Sequence, residues 1–270
     1  MRNGDIGTQV TSLQRLLIAA GFKIPADGWY GDDTTAAVKA FQQRAGLVVD
    51  GIAAGKTIEA LSTRDKNPRH LSEQALAKIA DRLGVQLAAL KAVNTVESNG
   101  AGFHADGRPV ILYERHIAYK RLAAVNADAD FLAARYPNLI NRARGGYVGG
   151  TGEWSRLSSA RQITADYPGL AAECCSWGQW QIMGYHWLTI GYSSIDAFVA
   201  AMSTSEAEQL EAFARFIEDD PALHKALKAR KWADFARIYN GPDYKANLYD
   251  SKLARAYDRY APPAEEFAPA

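Results

Sequence analysis

Residues 87–116 read LAALKAVNTVESNGAGFHADGRPVILYERH. They divide into a helix, a glycine-bearing loop and a short apolar strand. A carboxylate, Glu97, closes the helix, and another, Glu114, closes the strand. Leu87, Leu90 and Val93 recur at helical spacing, and the next step of the same stripe lands on Glu97. Asn99-Gly100 is a stop signal, so Glu97 falls in the last turn. Burial removes hydration, and a helix C-terminus carries partial negative charge; both disfavour a carboxylate. A carboxyl group kept protonated near neutral pH is what a general acid needs. The same spacing fits a core-edge glutamate capped by Ser98 or by an arginine, and at this point both readings stand.

The chain around this stretch has 270 residues, enough for two domains. Its 48% hydrophobic and 23% charged content is that of a soluble globular protein. A formal net charge of +1 argues against a polycation built for nucleic acid or a membrane surface. No apolar run is long enough to span a bilayer. The opening MRNGDIGTQVTS lacks the apolar core of a secretory signal, so synthesis in the cytoplasm is expected. Cys174 and Cys175 are adjacent and form no disulfide framework; two buried thiols in a reducing compartment are expected.

Upstream, residues 1–63 form a small unit of helical segments. Val10, Leu13, Leu16 and Leu17 keep helical spacing up to Gly21, and a second helix over 34–45 turns Ala37, Val38 and Phe41 inward. PADGWYGDD between them is a turn cluster. An internal echo follows, in which Asp27-Gly28 leads to Thr34 and Asp50-Gly51 leads to Thr57. Each reads as a DG turn feeding a Thr-started helix. Acidic and basic residues are nearly balanced here, so a ligand would be held by shape and hydrogen bonds. Residues 64–71 are polar, contain Asn67-Pro68, and read as a short linker that permits reorientation.

Downstream, residues 72–262 read as a larger, mainly helical domain. Helices are predicted over 72–83, 118–132, 153–165 and 167–175, with a strand over 110–113. Ser203 to Glu206 reads as a capping box that opens a helix through Ile217. Further helices start at Pro221 and Lys231, and a last one covers 244–260. RGGYVGGTGEW is flexible enough to line a cleft. The fold class expected is mainly α, with at most a small β hairpin, and residues 263–270 are expected to be disordered.

The N-terminal pattern, with LQ in the first helix, DGWYG, AVKAFQ and VDG before Lys56-Thr57, resembles peptidoglycan-binding domain 1, a three-helix wall-binding module. Ala54-Gly55 departs from the Gly-Pro usual in that family. The resemblance implies wall contacts from Asp27, Trp29 and Tyr30. The alternative for Tyr30 is a place in the core, with Trp29 alone exposed.

Downstream, VESNG (96–100), SWGQWQIMG (176–184) and YNGPDY (239–244) stand in the order of the lysozyme-like superfamily, which includes soluble lytic transglycosylases. RPVILYERH with SWGQWQIMGYHW resembles more closely the N-acetylmuramidase domain of modular endolysins from phages of Gram-negative bacteria. That resemblance implies Glu97 as catalytic acid and Glu114 as a second acidic site residue. Glycosidic cleavage needs an acid for the leaving oxygen and a group to manage an oxocarbenium-like centre. Glu114 suits a base that activates water or a group that stabilises positive charge; its alternative is a salt bridge with Arg115 or His116. Ser98, His116, Ser176, Gln179, Gln181, Tyr239 and Asn240 are the candidate substrate contacts. Trp177, Trp180 and Trp187 fit either stacking surfaces or core.

His104, Asp106, Glu114 and His116 lack metal-ligand spacing, and no metal or cofactor is expected. No GxSxG elbow or phosphate loop is present. The reading is a monomeric hydrolase acting on peptidoglycan glycan strands in the periplasm, with access through a holin-type pore. Its rivals are a lytic transglycosylase and a non-catalytic wall-binding or phage structural protein.

Overall fold

The computed structural model describes residues 1–65, 67–97 and 101–261. The chain divides into two compact units: residues 1–100 with 220–270, and residues 101–219.

The first unit opens with α1 (Thr8–Ala19), α2 (Asp32–Arg44) and α3 (Gly55–Thr63) around Val10, Leu13, Leu17, Tyr30, Val38, Phe41 and Leu61. The internal echo is structural and turns on two glutamines. Gln14 donates to Asp27 Oδ1, Trp29 O and Thr34 Oγ1, while its carbonyl accepts from Gly28 N–H. Gln42 repeats the pattern on Asp50 Oδ1, Ile52 O and Thr57 Oγ1, and accepts from the N–H groups of Asp50 and Gly51. Thr34 and Thr57 therefore do not cap their helices, which begin at Asp32 and Gly55; their hydroxyls receive the glutamine amides. A buried amide is tolerated only when its polar atoms are partnered. Truncating it to Gln42→Ala strands several of those groups, and a loss of about 2–3 kcal/mol is expected. Urea unfolding of the full chain measures it, and a loss below ~0.5 kcal/mol would contradict the role given to this residue.

The same unit contains α4 (Glu73–Leu83), started by a Ser72 cap on Ala75 N–H, and α5 (Leu87–Glu97). The three-helix module is fastened to this pair as well as tethered. Val49 N–H donates to Glu73 Oε2 at 2.9 Å, Lys91 Nζ donates to Val49 O at 2.9 Å, and Lys91 pairs with Glu73.

The second unit begins with β1 (Ile111–Tyr113), α6 (Arg115–Ala124), α7 (Ala129–Arg135), α8 (Gly152–Ile163) and α9 (Leu170–Glu173). It continues with β2 (Cys175–Trp177), β3 (Ile182–Met183), α10 (Ile195–Thr204) and α11 (Glu206–Asp219). The helix predicted over 118–132 is two helices. Asn126 has φ +58°, and Asp128 caps α7 through Phe131 N–H. The sheet is a three-stranded antiparallel meander in the order β1-β2-β3, with Ile111 opposite Trp177 and Trp177 opposite Ile182. The predicted capping box is displaced: Ser203 lies inside α10, and Ser205 accepts from Glu208 N–H at the start of α11. Cys174 and Cys175 are buried free thiols.

The chain then returns to the first unit through α12 (Pro221–Lys228), capped by Asp220, then α13 (Trp232–Asn240) and α14 (Tyr249–Tyr260). The last helix starts later than the predicted residue 244, because residues 242–245 form a 3₁₀ turn and Leu248 takes φ +53°. Helix α14 packs on both α5 and α13. Residues 263–270 lie outside the described residues.

Candidate active site

Glu97 is the last residue of α5, a helix that buries Ala88, Ala89, Leu90, Ala92, Val93 and Asn94. Its side chain is partly buried and accepts a hydrogen bond from Asn240 Nδ2 at 3.0 Å. Asn240 is the last residue of α13, which stops there because Gly241 adopts φ +84°. Burial pushes the Glu97 carboxyl up to about 7; the Asn240 bond and the Lys252 charge oppose the rise without cancelling it. The Tyr239 and Tyr249 phenols are pushed above their ordinary value, first by burial and then by the Glu97 charge. Tyr239 also stacks on Phe235, with ring centroids 5.6 Å apart. One acid thus carries an amide donor, feels the charge of Lys252, and acts with its own charge on two phenols. The arginine lock left open by the sequence is absent among the described residues, and Ser98 lies outside them.

Glu114 joins β1 to α6. Its N–H donates to Cys174 O, and its carbonyl accepts from the N–H groups of Ile117 and Ala118. Oε2 of the side chain accepts from Tyr147 Oη at 2.8 Å. His116 Nδ1 lies 3.0 Å from the same oxygen, close enough for electrostatic attraction but not aligned as a hydrogen bond. Arg115 points elsewhere, onto the carbonyls of Ala143 and Arg144. His116 is buried; burial holds its pKa below the ordinary value despite the Glu114 carboxylate, which pulls upward. Tyr185 lies within the field of Glu114, Arg121 and Arg144. Tyr147 and Tyr185 were missed by the sequence reading; an aromatic residue inside a glycine run was the one local signal for Tyr147.

The segment SWGQWQIMG is placed differently from expectation. Residues 178–181 form the turn between β2 and β3. Ser176 and Gln179 are buried. Ser176 Oγ donates to Gln181 Oε1 at 2.7 Å, and Gln181 Nε2 donates to Gly178 O at 2.8 Å, so both ends of that amide are used internally. Gln209, which the sequence did not single out, accepts from Gln179 N–H and donates to Gly102 O and Met202 O. Gly178 has φ +71°, and a Cβ there would sit 2.6 Å from Gln209 Cδ, so the glycine is dictated twice. Trp177 and Trp180 are core; Trp187 donates to Glu173 Oε1.

In the N-terminal module Trp29 is 58% exposed and Tyr30 is fully buried. Tyr30 is thereby corrected from wall contact to core residue, with its hydroxyl donating to Gly51 O. Asp27 accepts from Trp29 N–H and from Gln14, so its carboxylate shapes the turn. The indole lies over Gly31, and Ile6, 80% exposed, pairs with Trp29 through an antiparallel bridge.

The N-acetylmuramidase family model matches residues 86–261, and a peptidoglycan binding domain model matches residues 6–61. The solved endolysin of Burkholderia AP3 phage is 55% identical, with a TM-score of 0.91 over 96% of this chain and 98% of that one. The N-acetylmuramoyl-L-alanine amidase CwlL of Bacillus licheniformis is 46% identical over 74 residues, which are 25% of this chain. The chain spans only about a fifth of that amidase (21%). With a family model running through both the Glu97 and the Glu114 segments, the chain belongs to the N-acetylmuramidase family.

Proposed function

We propose that this chain is a modular endolysin that hydrolyses the β-1,4 bond between N-acetylmuramic acid and N-acetylglucosamine. The observation that carries the reading is the partly buried Glu97, whose carboxyl is pushed up to about 7 with Asn240 on one oxygen. Such a group holds its proton at near-neutral pH and gives it to the leaving glycosidic oxygen. Glu114 is read as the base that takes the proton of the attacking water, and Tyr239 and Asn240 as substrate contacts that accompany Glu97. His116 acts through Glu114. Residues 1–63 hold the wall, with Trp29 as the stacking surface, and residues 72–262 cut it. The chain works as a monomer, reaches the periplasm through a holin-type pore, and requires no metal.

Mass spectrometry of purified peptidoglycan digested by the full chain tests this reading. Products ending in reducing N-acetylmuramic acid are expected. Mostly 1,6-anhydro ends would make the chain a lytic transglycosylase, which needs no water-activating carboxylate. Intact glycan with retained wall binding would make it a binding protein.

A further inference from the structure

The two echoing turns of the N-terminal module are built alike but used differently. In each, a glycine at positive φ follows an aspartate, Gly28 at +79° and Gly51 at +70°. In each, that aspartate's Oδ1 accepts from the N–H two residues on, Asp27 from Trp29 at 2.9 Å and Asp50 from Ile52 at 2.8 Å. In each, a buried glutamine spans the turn to a threonine hydroxyl. The second turn is occupied from within the same unit. The Val49 N–H, just before Asp50, donates to Glu73 Oε2, and the Val49 carbonyl accepts from Lys91 Nζ, both at 2.9 Å. Glu73 and Lys91 also pair with each other. Burial raises the Asp50 carboxyl, and the Lys91 charge is among the groups that pull it back. One edge of that turn therefore holds an ammonium and a carboxylate side by side. Ala26 stands before Asp27 as Val49 stands before Asp50. Ala26 and Asp27 are exposed, and neither the N–H nor the carbonyl of Ala26 has a hydrogen-bond partner among the described residues. The Asp27 carboxyl is held below its ordinary value, first by the Trp29 N–H, so it stays charged.

We propose that the Asp27 turn binds an amino-acid zwitterion, the ammonium and carboxylate borne on one carbon at the unlinked end of a diaminopimelate residue in a wall peptide. This rests on the reading of residues 1–63 as the wall-binding module. The ammonium takes the place that Lys91 has on the second turn, on Ala26 O and within the field of Asp27. The carboxylate takes the place of Glu73, on Ala26 N–H. A ligand carrying both signs suits a module whose acidic and basic residues nearly balance, because neither sign is repelled by a bulk field. Hydrogen bonds to charged groups are roughly twice as strong as neutral ones, so two of them on one residue supply affinity without a deep pocket.

The test is co-sedimentation of the full chain with purified diaminopimelate-type sacculi, native or with their free amines acetylated. The chain carries Glu97→Gln so that the glycan stays whole. Acetylation removes the ammonium and is expected to weaken binding at least about tenfold, the order of one hydrogen bond to a charged group. Free meso-diaminopimelate is expected to displace the chain from native sacculi. Pimelate, which lacks the amines, and cadaverine, which lacks the carboxylates, are expected to be at least about tenfold less potent. Asp27→Asn keeps an oxygen for the Trp29 N–H and is expected to lower affinity for native sacculi about two- to fivefold, the worth of an exposed charge pair. On acetylated sacculi the same change is expected to cost nothing, because its route of action is gone. The displacement series needs no substitution in the turn, so it decides the matter even where Asp27→Asn alters the fold. Equal binding to native and acetylated sacculi would overturn the proposal while leaving residues 1–63 as the wall binder. Displacement by cadaverine or pimelate as strong as by diaminopimelate would overturn it too, as would equal losses in Asp27→Asn on both kinds of sacculi. No binding to native sacculi at all would remove the wall-binding reading, and the proposal with it.

Discussion

Glu97→Gln is expected to lower the rate of glycan cleavage by at least ~10²-fold while wall binding and fold survive. General acid catalysis contributes roughly 10²- to 10⁴-fold, and an amide cannot donate the transferable proton. The substitution conserves shape, and a neutral side chain suits the partly buried position, where burial already disfavours charge. Stability should therefore not fall at pH 8. The pH dependence follows from the sign of the shift. The Glu97 carboxyl rises from 4.5 to about 7, so the protonated form is retained below that value. The acid-catalysed rate should fall as pH rises through about 7. The favourable stability contribution of the neutral group, fully present below the unfolded value, is lost over the same rise. Removing Lys252, which pulls the value down, should move the alkaline limb of a Lys252→Met variant to higher pH. Clearing assays and pH–rate profiles decide it. Glu97→Gln with parental activity, or a limb that stays put in Lys252→Met, would remove the acid role.

Glu153→Ala is expected to cost 3–5 kcal/mol, roughly the loss seen when one member of a buried ion pair is removed. Glu153 is fully buried in the first turn of α8. It accepts from Tyr113 N–H on β1, from the N–H groups of Val148 and Gly149, and from Arg156 Nη1 at 2.7 Å. Arg156 in turn donates to Tyr113 O and Asn138 O. Alanine would leave three backbone donors without their acceptor and a buried guanidinium without its counter-charge. Burial alone would raise the Glu153 carboxyl, but the bonds from Gly149, Tyr113, Val148 and Arg156 outweigh it, and the value lies below the ordinary one. Its stabilisation is thus present above the unfolded carboxylate range and is lost as pH falls through the folded value. Domains of this kind hold about 5–15 kcal/mol in all, so the variant should unfold at markedly lower urea. A shift worth less than ~1 kcal/mol would show that water or relaxation replaces these bonds.

What could be read in the chain is what depends on near neighbours. Glu97 sits where the spacing of Leu90 and Val93 put it, because helical period is a local property. Asp27-Gly28 and Asp50-Gly51 form turns for the same reason. Polar side chains misled the reading wherever they turn inward. Ser176 and Gln179 looked like open donors but are buried; Gln14 and Gln42 entered only as motif letters, and Gln209 and Glu153 were not singled out, although each knits distant backbone together. A sequence shows that a glutamine is polar, not whether its partner is water or a carbonyl far along the chain.

The sequence by itself determined most of the helices, the paired turns and the place of Glu97 at the end of α5. Only the tertiary structure decided that Asn240 would meet Glu97 and that Tyr147 would meet Glu114. Those meetings depend on how α14 packs against α5 and α13, and on how Arg115 and Glu153 fasten a glycine strap. Long-range burial sets both, and no local spacing encodes it.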